Sequence, residues 1–159
     1  MRRIISWIGI FAVLAVVCGG AGFFVLARNG AELDVSSRAY THQAVIAIAK
    51  AWNKDELWKR ASPEFKKTTQ LDDLTLLFDA ANAALGPLYE YEGGEGEALM
   101  AKAIGSGTNI TAHYIAHGRF AKDEAVFDVT LRQIDNRWMI DGFRVRSASL
   151  MKRLAQQAR

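Results

Sequence analysis

The chain has 159 residues, of which 50% are hydrophobic, and a formal net charge of +3 at pH 7. This length suits one domain with a sizeable core. Two of its 20 Lys and Arg, Arg2 and Arg3, precede a long uncharged run, which leaves 18 against 17 Asp and Glu from Arg28 onward. A nearly neutral domain lacks the basic surface that nucleic acid requires, so we expect no nucleic-acid partner.

The first 27 residues predict a membrane anchor. Ile4 to Ala27 carries no charge over 24 residues, and as a helix this run is about 36 Å long, enough to cross a bilayer. Arg2 and Arg3 favour a cytoplasmic N-terminus in the inner membrane, with the domain periplasmic or otherwise extracytoplasmic. We predict an uncleaved single-pass signal anchor over residues 1–27 and a linker over 28–34. Cleavage after the small residues around Cys18 or Ala27 is the alternative.

Two features inside this run bear on its partners. Cys18 is the only cysteine, so the chain forms no intramolecular disulfide, and Ala15 and Val17 do not fit the lipoprotein pattern. Small residues recur at steps of three and four, which places them on one stripe of a helix. Such a stripe is either ordinary membrane-helix composition or a seam for a second membrane helix. Its members are Gly9, Ala12, Ala15, Gly19 and Gly22.

The soluble domain is expected over residues 35–146, and its first half is helical. Ser36 or Ser37 caps a helix that runs to about Trp52. A short piece around Leu57 follows, and Ser62-Pro63 predicts the cap and first residue of another. A longer helix over about 70–85 ends at Gly86-Pro87.

From Pro87 onward the hydrophobic pattern has a period of two. It predicts strands over 88–91, 98–104, 109–120, 124–134 and 137–145, with the glycines of 92–97 read as a turn. Such short connections make neighbouring strands antiparallel. The fold class is therefore α+β, with helices first and an antiparallel sheet after them.

The spacing of His113 and His117 suggests a metal pair on a helix, but both fall on a predicted strand. There they lie about 13 Å apart, too far for one ion to bind both at about 2 Å. His42 lies on the first helix, and no Cys or carboxylate cluster accompanies the pair. We predict no metal site and no cofactor.

Strand alternation predicts one sheet face toward the helices and a second face that is open. This open face is either an ordinary solvated surface or an interface, since Trp and Arg are enriched at binding hot spots. The residues assigned to it are His113, His117, Arg119, Asp128, Arg132, Trp138, Arg144 and Arg146.

The order of these elements resembles the nuclear transport factor 2-like, or cystatin-like, superfamily, especially its small bacterial secreted or membrane-anchored members of unknown function. The resemblance covers about Val35 to Arg146. It implies a cone in which helices close the concave side of a bent sheet, often with dimerisation through the other face. The residues that carry it are Trp52, Asn53, Asp55, Ser62-Pro63-Glu64-Phe65, Leu85-Gly86-Pro87-Leu88 and Arg137 to Phe143.

Some members of that superfamily are enzymes with Asp and Tyr inside the cone, where an apolar setting shifts a carboxylate pKa for proton transfer. The resemblance makes Asp141 the best catalytic candidate, against a structural role for a lone acid without a matched partner. Tyrosines that could line a pocket are Tyr40, Tyr89, Tyr91 and Tyr114.

Other members are non-catalytic assembly components of type IV secretion machines with the same layout, although the cytoplasmic tip is shorter here. Residues 147–159 predict a basic amphipathic tail that either touches lipid or a partner, or frays. We therefore expect a non-enzymatic accessory or assembly subunit of a membrane complex, with the bilayer and a membrane protein or second copy as partners. A cone pocket that binds or isomerises a small apolar molecule is the alternative.

Overall fold

The computed structural model describes residues 30–103 and 107–157. Among these residues, no helix is long and apolar enough to cross a membrane, and the predicted anchor lies outside them. Contacts divide the chain into two compact units, Met1–Leu33 and Asp34–Arg159, and the contacts below belong to the second. The helices are α1 (30–49), α2 (Lys54–Arg60), α3 (Pro63–Thr68), α4 (Leu71–Leu85) and α5 (Ala148–Gln157).

The helix boundaries follow from capping chemistry that the sequence reveals. The Asn53 side chain accepts a hydrogen bond from the Asp55 amide at 2.9 Å, and Ser62 Oγ accepts one from the Phe65 amide at 3.0 Å. Gly86, with φ of 74°, ends α4. The start predicted at Ser62 and the stop predicted at Gly86 are confirmed. The start predicted at Ser36 or Ser37 is wrong, because α1 is already helical at residue 30 and runs through both serines. The predicted linker is different, because residues 30–34 are already helical.

Four strands form one antiparallel meander in the order β1-β2-β3-β4. They are β1 (Leu88–Ala103), β2 (Gly107–Phe120), β3 (Glu124–Ile134) and β4 (Arg137–Arg146). The predicted turn over 92–97 is wrong, because β1 runs through it without a break. Its register against β2 shifts between Leu88 and Glu90 and again between Tyr91 and Gly93. These bulges absorb extra residues, and the glycines permit them.

Helix α1 covers the outer edge of β1. Arg38 donates to the carbonyl oxygens of Gly94 and Gly96 at 2.9 and 3.0 Å. Asp34 Oδ1 accepts from the Ala98 amide at 2.6 Å. An edge strand presents backbone groups that are unpaired on one side. These two side chains therefore occupy three of them and fix α1 against the sheet.

The core lies between the helices and the inner face of the sheet. The predicted inward residues of β2 and β3 are buried, among them Tyr114, Phe127 and Val129. Trp52 stacks on Phe120 with ring centroids 5.2 Å apart, and its Nε1 donates to the Gly86 carbonyl at 3.0 Å. This pair joins the end of α1 to the end of β2, on the side of the domain away from the Asp34 contact.

A bulge in β4 reverses the predicted faces of its first residues. Thr130 pairs with Gly142 and Leu131 with Ile140, so Asp141 is an extra residue between them. Residues before the bulge therefore point opposite to simple alternation. Trp138 is 9% exposed on the helix side and donates to Ser36 Oγ at 3.1 Å. The prediction that Trp138 lies on the open face is wrong, and Ile140 is likewise buried.

The C-terminal tail is a docked helix over the described residues. Leu150 of α5 is fully buried, and α5 packs against α4. Asp123 accepts hydrogen bonds from Ser147 Oγ at 2.7 Å and the Ser149 amide at 3.0 Å. Hydrogen bonds from Ser149 and Ser147 hold the pKa of Asp123 well below its ordinary value. Over Ala148–Gln157 the tail is therefore a helix that packs on the domain.

We expect Asp123→Ala to loosen α5 without unfolding the sheet, because it removes the acceptors at the start of that helix. Hydrogen exchange should become faster in residues 148–157 and stay unchanged in β2 and β3. Asp135→Ala, at an exposed turn, is the matched control and should leave the tail protected. Equal protection of the tail in both variants would contradict a role for Asp123 in docking it.

Candidate interaction face

The sheet register brings seven of the eight predicted interface residues to one open face. His113, His117 and Arg119 alternate along β2 and are exposed. Asp128 and Arg132 are half-buried on the same face of β3, where they pair in register with Ile115 and Thr111 of β2. Arg144 and Arg146 are exposed on β4, where they pair in register with Asp128 and Val126. Trp138 is the exception, because the β4 bulge turns its side chain toward the helices.

The charges on this face are sorted by strand. Strand β1 contributes acids, and Arg119 of β2 pairs with two of them, Glu90 at 2.6 Å and Glu92 at 2.8 Å. His113 Nε2 lies 2.8 Å from Asp128 Oδ1. The far strand, β4, contributes the two exposed arginines. One side of the face is therefore acidic and the other basic.

Four of these charged residues form no ion pair among the described residues. Within residues 30–103 and 107–157, neither Glu95 and Glu97 of β1 nor Arg144 and Arg146 of β4 make an ion pair. Three strand spacings separate the two pairs, about 14 Å. That distance exceeds the screening length of about 8 Å in physiological salt. The acids and arginines thus remain available to charges from outside the domain.

Sequence reasoning missed Glu95 and Glu97 because it assigned them to a turn. The register pairs Glu95 with Ile115 and Glu97 with His113, which puts both on the open face. A signal was present, since Glu95, Glu97 and Leu99 alternate with small residues at a period of two. The three neighbouring glycines, Gly93, Gly94 and Gly96, favoured a turn instead.

Asp141 is held by its neighbours and lies on the edge strand. Ser62 Oγ donates to its Oδ1 at 2.6 Å, while Arg132 donates to Oδ2 through Nε at 3.2 Å and Nη2 at 2.8 Å. Burial raises the pKa of Asp141, but the hydrogen bonds from Arg132 and Ser62 outweigh it and lower the pKa overall. A carboxylate held ionised in this way is a poor general base near neutral pH. The contacts indicate a structural role.

The four tyrosines do not converge on one pocket. Tyr114 is fully buried, and its hydroxyl lies 2.9 Å from Ser37 Oγ. Tyr91 and Tyr114 line a groove of about 170 Å³ together with His42 and Arg38, and burial raises the pKa of Tyr91. Tyr89 is 81% exposed, while Tyr40 is half-buried and does not line the groove.

The groove is small, and the two histidines on β2 belong to no metal-binding cluster within the described residues. Ligand pockets usually span about 300 to 1,000 Å³, so this groove suits only a small fragment. His113 and His117 share one side of β2, and residues 30–103 and 107–157 contain no group of three or more side chains arranged for a metal ion. The small-residue stripe from Gly9 to Gly22 lies outside the described residues.

Comparison of the chain with protein-family models, curated proteins and solved structures found no match. The coordinates define an α+β domain in which helices precede a four-stranded antiparallel sheet.

Proposed function

We propose that the protein is a membrane-anchored, non-catalytic interaction domain of nuclear transport factor 2-like type. It serves as an accessory or assembly subunit of a membrane protein complex in the inner membrane. The observation that supports this most is the open sheet face, whose unpaired acids and arginines lie on opposite strands. The resemblance in element order supports the fold type, and the 24-residue uncharged run supports the membrane anchor.

Charge sorting of this kind favours one orientation of a partner. A partner with arginines opposite β1 and acids opposite β4 satisfies both sides at once. A second copy of this chain meets that requirement by itself if the two-fold axis lies in the interface parallel to the strands, since β1 of each copy then faces β4 of the other and acids meet arginines twice. In the reversed orientation β1 faces β1 and β4 faces β4, so acids meet acids and arginines meet arginines. That arrangement is disfavoured.

The test is charge reversal of the basic side. We expect the double variant Arg144→Glu, Arg146→Glu to lose its partner on extraction from the membrane, because four like charges then face each other. Co-purification of the tagged full chain with its partner should fall about 10-fold or more, corresponding to about 1.4 kcal/mol. Pull-down followed by quantitative mass spectrometry measures it.

Two further variants make the result specific. Lys152→Glu with Arg153→Glu changes the charge equally on the exposed part of α5 and should leave co-purification unchanged. Adding Glu95→Arg and Glu97→Arg to the β4 double variant should restore binding if the partner is a second copy. Undiminished co-purification of the β4 double variant would refute the open face as the docking surface.

The groove beside α1 supports a second candidate function, the binding of a small molecule. It is lined by Tyr91 and His42, whose ring centroids are 4.8 Å apart, and by Arg38, which is exposed. Asp141 does not line it, so the isomerase version loses its proposed acid. Native mass spectrometry of the chain extracted from its membrane separates this candidate from the first, because it detects either a protein partner or a retained small molecule.

A further inference from the structure

The groove beside α1 is lined by hydrogen-bond donors and by no carboxylate. Its lining includes Arg38, His42 and Tyr91, and none of the described residues that line it is acidic. Arg38 is cationic, while the imidazole and the phenol each carry a proton that they can donate. An anion in the groove is therefore attracted by Arg38 and meets no acid in the lining to repel it.

Three contacts fix the guanidinium of Arg38 at the groove. It donates to the Gly94 and Gly96 carbonyls at 2.9 and 3.0 Å, and its Cζ lies 5.5 Å from the centroid of the Tyr114 ring. Tyr114 is fully buried, so the ring beneath the guanidinium is held by the core. A guanidinium has more N–H donors than two carbonyls use, and its planar fork matches a carboxylate. Because Arg38 is already in place, a ligand does not have to order this long side chain on binding.

The Tyr91 hydroxyl is a second donor, positioned by packing. Its ring lies edge-on to His42, and its hydroxyl oxygen is 3.5 Å from the point where a Cβ on Gly94 would lie, so the glycine keeps the space beside the hydroxyl open. Burial raises the pKa of Tyr91, and the phenol therefore keeps its proton at neutral pH. Within residues 30–103 and 107–157, neither the Tyr91 hydroxyl nor the His42 ring has a hydrogen-bond partner. Both groups are free to donate to a ligand.

We propose that this groove binds a small organic carboxylate, to whose oxygens Arg38 and the Tyr91 hydroxyl donate while its carbon body lies against the Tyr91 and His42 rings. The inference rests on the second candidate function and names the class of its ligand. A carboxylate fits better than inorganic phosphate, because the groove combines donors with aromatic rings and phosphate has no apolar part. The volume of about 170 Å³ limits the ligand to the size of a fragment. None of the charged residues of the open face lines the groove, so carboxylate binding and docking of a partner are separate events.

The test measures binding of para-fluorobenzoate to the full chain in a mild non-ionic detergent by fluorine NMR. The matched ligand is para-fluorobenzamide, which has the same ring and a similar shape but no charge. We expect the carboxylate to bind and the amide to bind about 10-fold more weakly or less, because only the carboxylate gains charge-assisted hydrogen bonds.

Two matched variants locate the binding. Tyr91→Phe removes only the hydroxyl and keeps the ring beside His42, and it should weaken carboxylate binding about 10-fold, since the lost hydrogen bond has a charged acceptor. Tyr89→Phe makes the same change at an exposed tyrosine outside the groove and should leave binding unchanged. Arg38→Met should abolish measurable binding. If that variant does not fold, because Arg38 also holds β1, the comparison of Tyr91→Phe with Tyr89→Phe decides.

Failure of this inference is distinguishable from failure of the proposed functions. Equal binding of acid and amide, both weakened by Tyr91→Phe, would overturn the carboxylate and leave the small-molecule function standing. Stronger competition by inorganic phosphate than by unlabelled benzoate would overturn it in favour of a phosphate. Binding of neither probe, or binding that Tyr91→Phe leaves unchanged, would overturn it outright. The Arg144→Glu, Arg146→Glu variant should bind the probe as the wild-type chain does, so this result does not depend on the open face.

Discussion

Replacing Gly96 by Ala is expected to destabilise the domain by about 3 kcal/mol or more. A Cβ at this position would lie 1.9 Å from the His113 carbonyl oxygen and 2.8 Å from Tyr114 Cα. Both obstacles belong to the backbone of β2, so no side-chain rotation relieves them. Either β1 separates from β2, or α1 loses the Gly96 carbonyl that Arg38 binds. Urea unfolding of the full chain in mild detergent, followed by tryptophan fluorescence, measures the loss.

Gly93→Ala is the matched control in the same strand. Gly93 has a φ of 96°, but a Cβ there meets nothing within 4 Å. Its cost should therefore be limited to the conformational term of about 1 to 2 kcal/mol. If Gly96→Ala proved no more costly than Gly93→Ala, the close approach of β1 to β2 at this point would be contradicted.

Asp141→Asn is expected to lower the free energy of unfolding at pH 7 by about 2 kcal/mol, after allowance for the partial exposure of Arg132. The substitution keeps the shape of the side chain but removes the charge that receives two hydrogen bonds from Arg132 and one from Ser62. Those bonds tie the bulge of β4 to β3 and to the start of α3. The same urea titration measures the effect.

The difference in the free energy of unfolding between the wild-type chain and Asp141→Asn should depend on pH. The pKa of Asp141 is lowered in the folded protein from its ordinary value of 3.8. Its stabilisation is therefore fully present above about pH 4 and is lost as the pH falls through the folded value. The gap between the wild-type chain and Asp141→Asn should shrink in that acidic range. Asp135→Asn, at an exposed turn with φ of 48°, should change stability by less than about 0.5 kcal/mol throughout. A gap that persisted at low pH would contradict the assignment.

Local sequence patterns, namely helix caps and strand alternation, were enough to predict most of the helices and three of the four strands. Caps at Asn53, Ser62 and Gly86 act within a few residues, so the sequence displays both partners. Alternation along β2 and β3 is likewise local and has no register shift between those two strands. The predicted helix 70–85 and the inward face of these strands therefore agree with the structure.

The errors lie at the bulges. A bulge depends on the partner strand, which a single segment does not reveal. The glycines of β1 predicted a turn, whereas the structure has one continuous strand there. Glu95 and Glu97 were therefore not assigned to the open face. Unbroken alternation through Asp141 put Trp138 on the wrong face. The arginines of β4 lie beyond that bulge, so their predicted placement on the open face agrees with the structure.

The most direct test of the central claim is extraction of the full chain from its native membrane in mild detergent, followed by sizing and native mass spectrometry. An interaction subunit should migrate with other membrane proteins or as a dimer, and the Arg144→Glu, Arg146→Glu variant should migrate as a monomer. A wild-type chain that is already monomeric and carries a small molecule, released on denaturation, would contradict the claim and favour the groove beside α1.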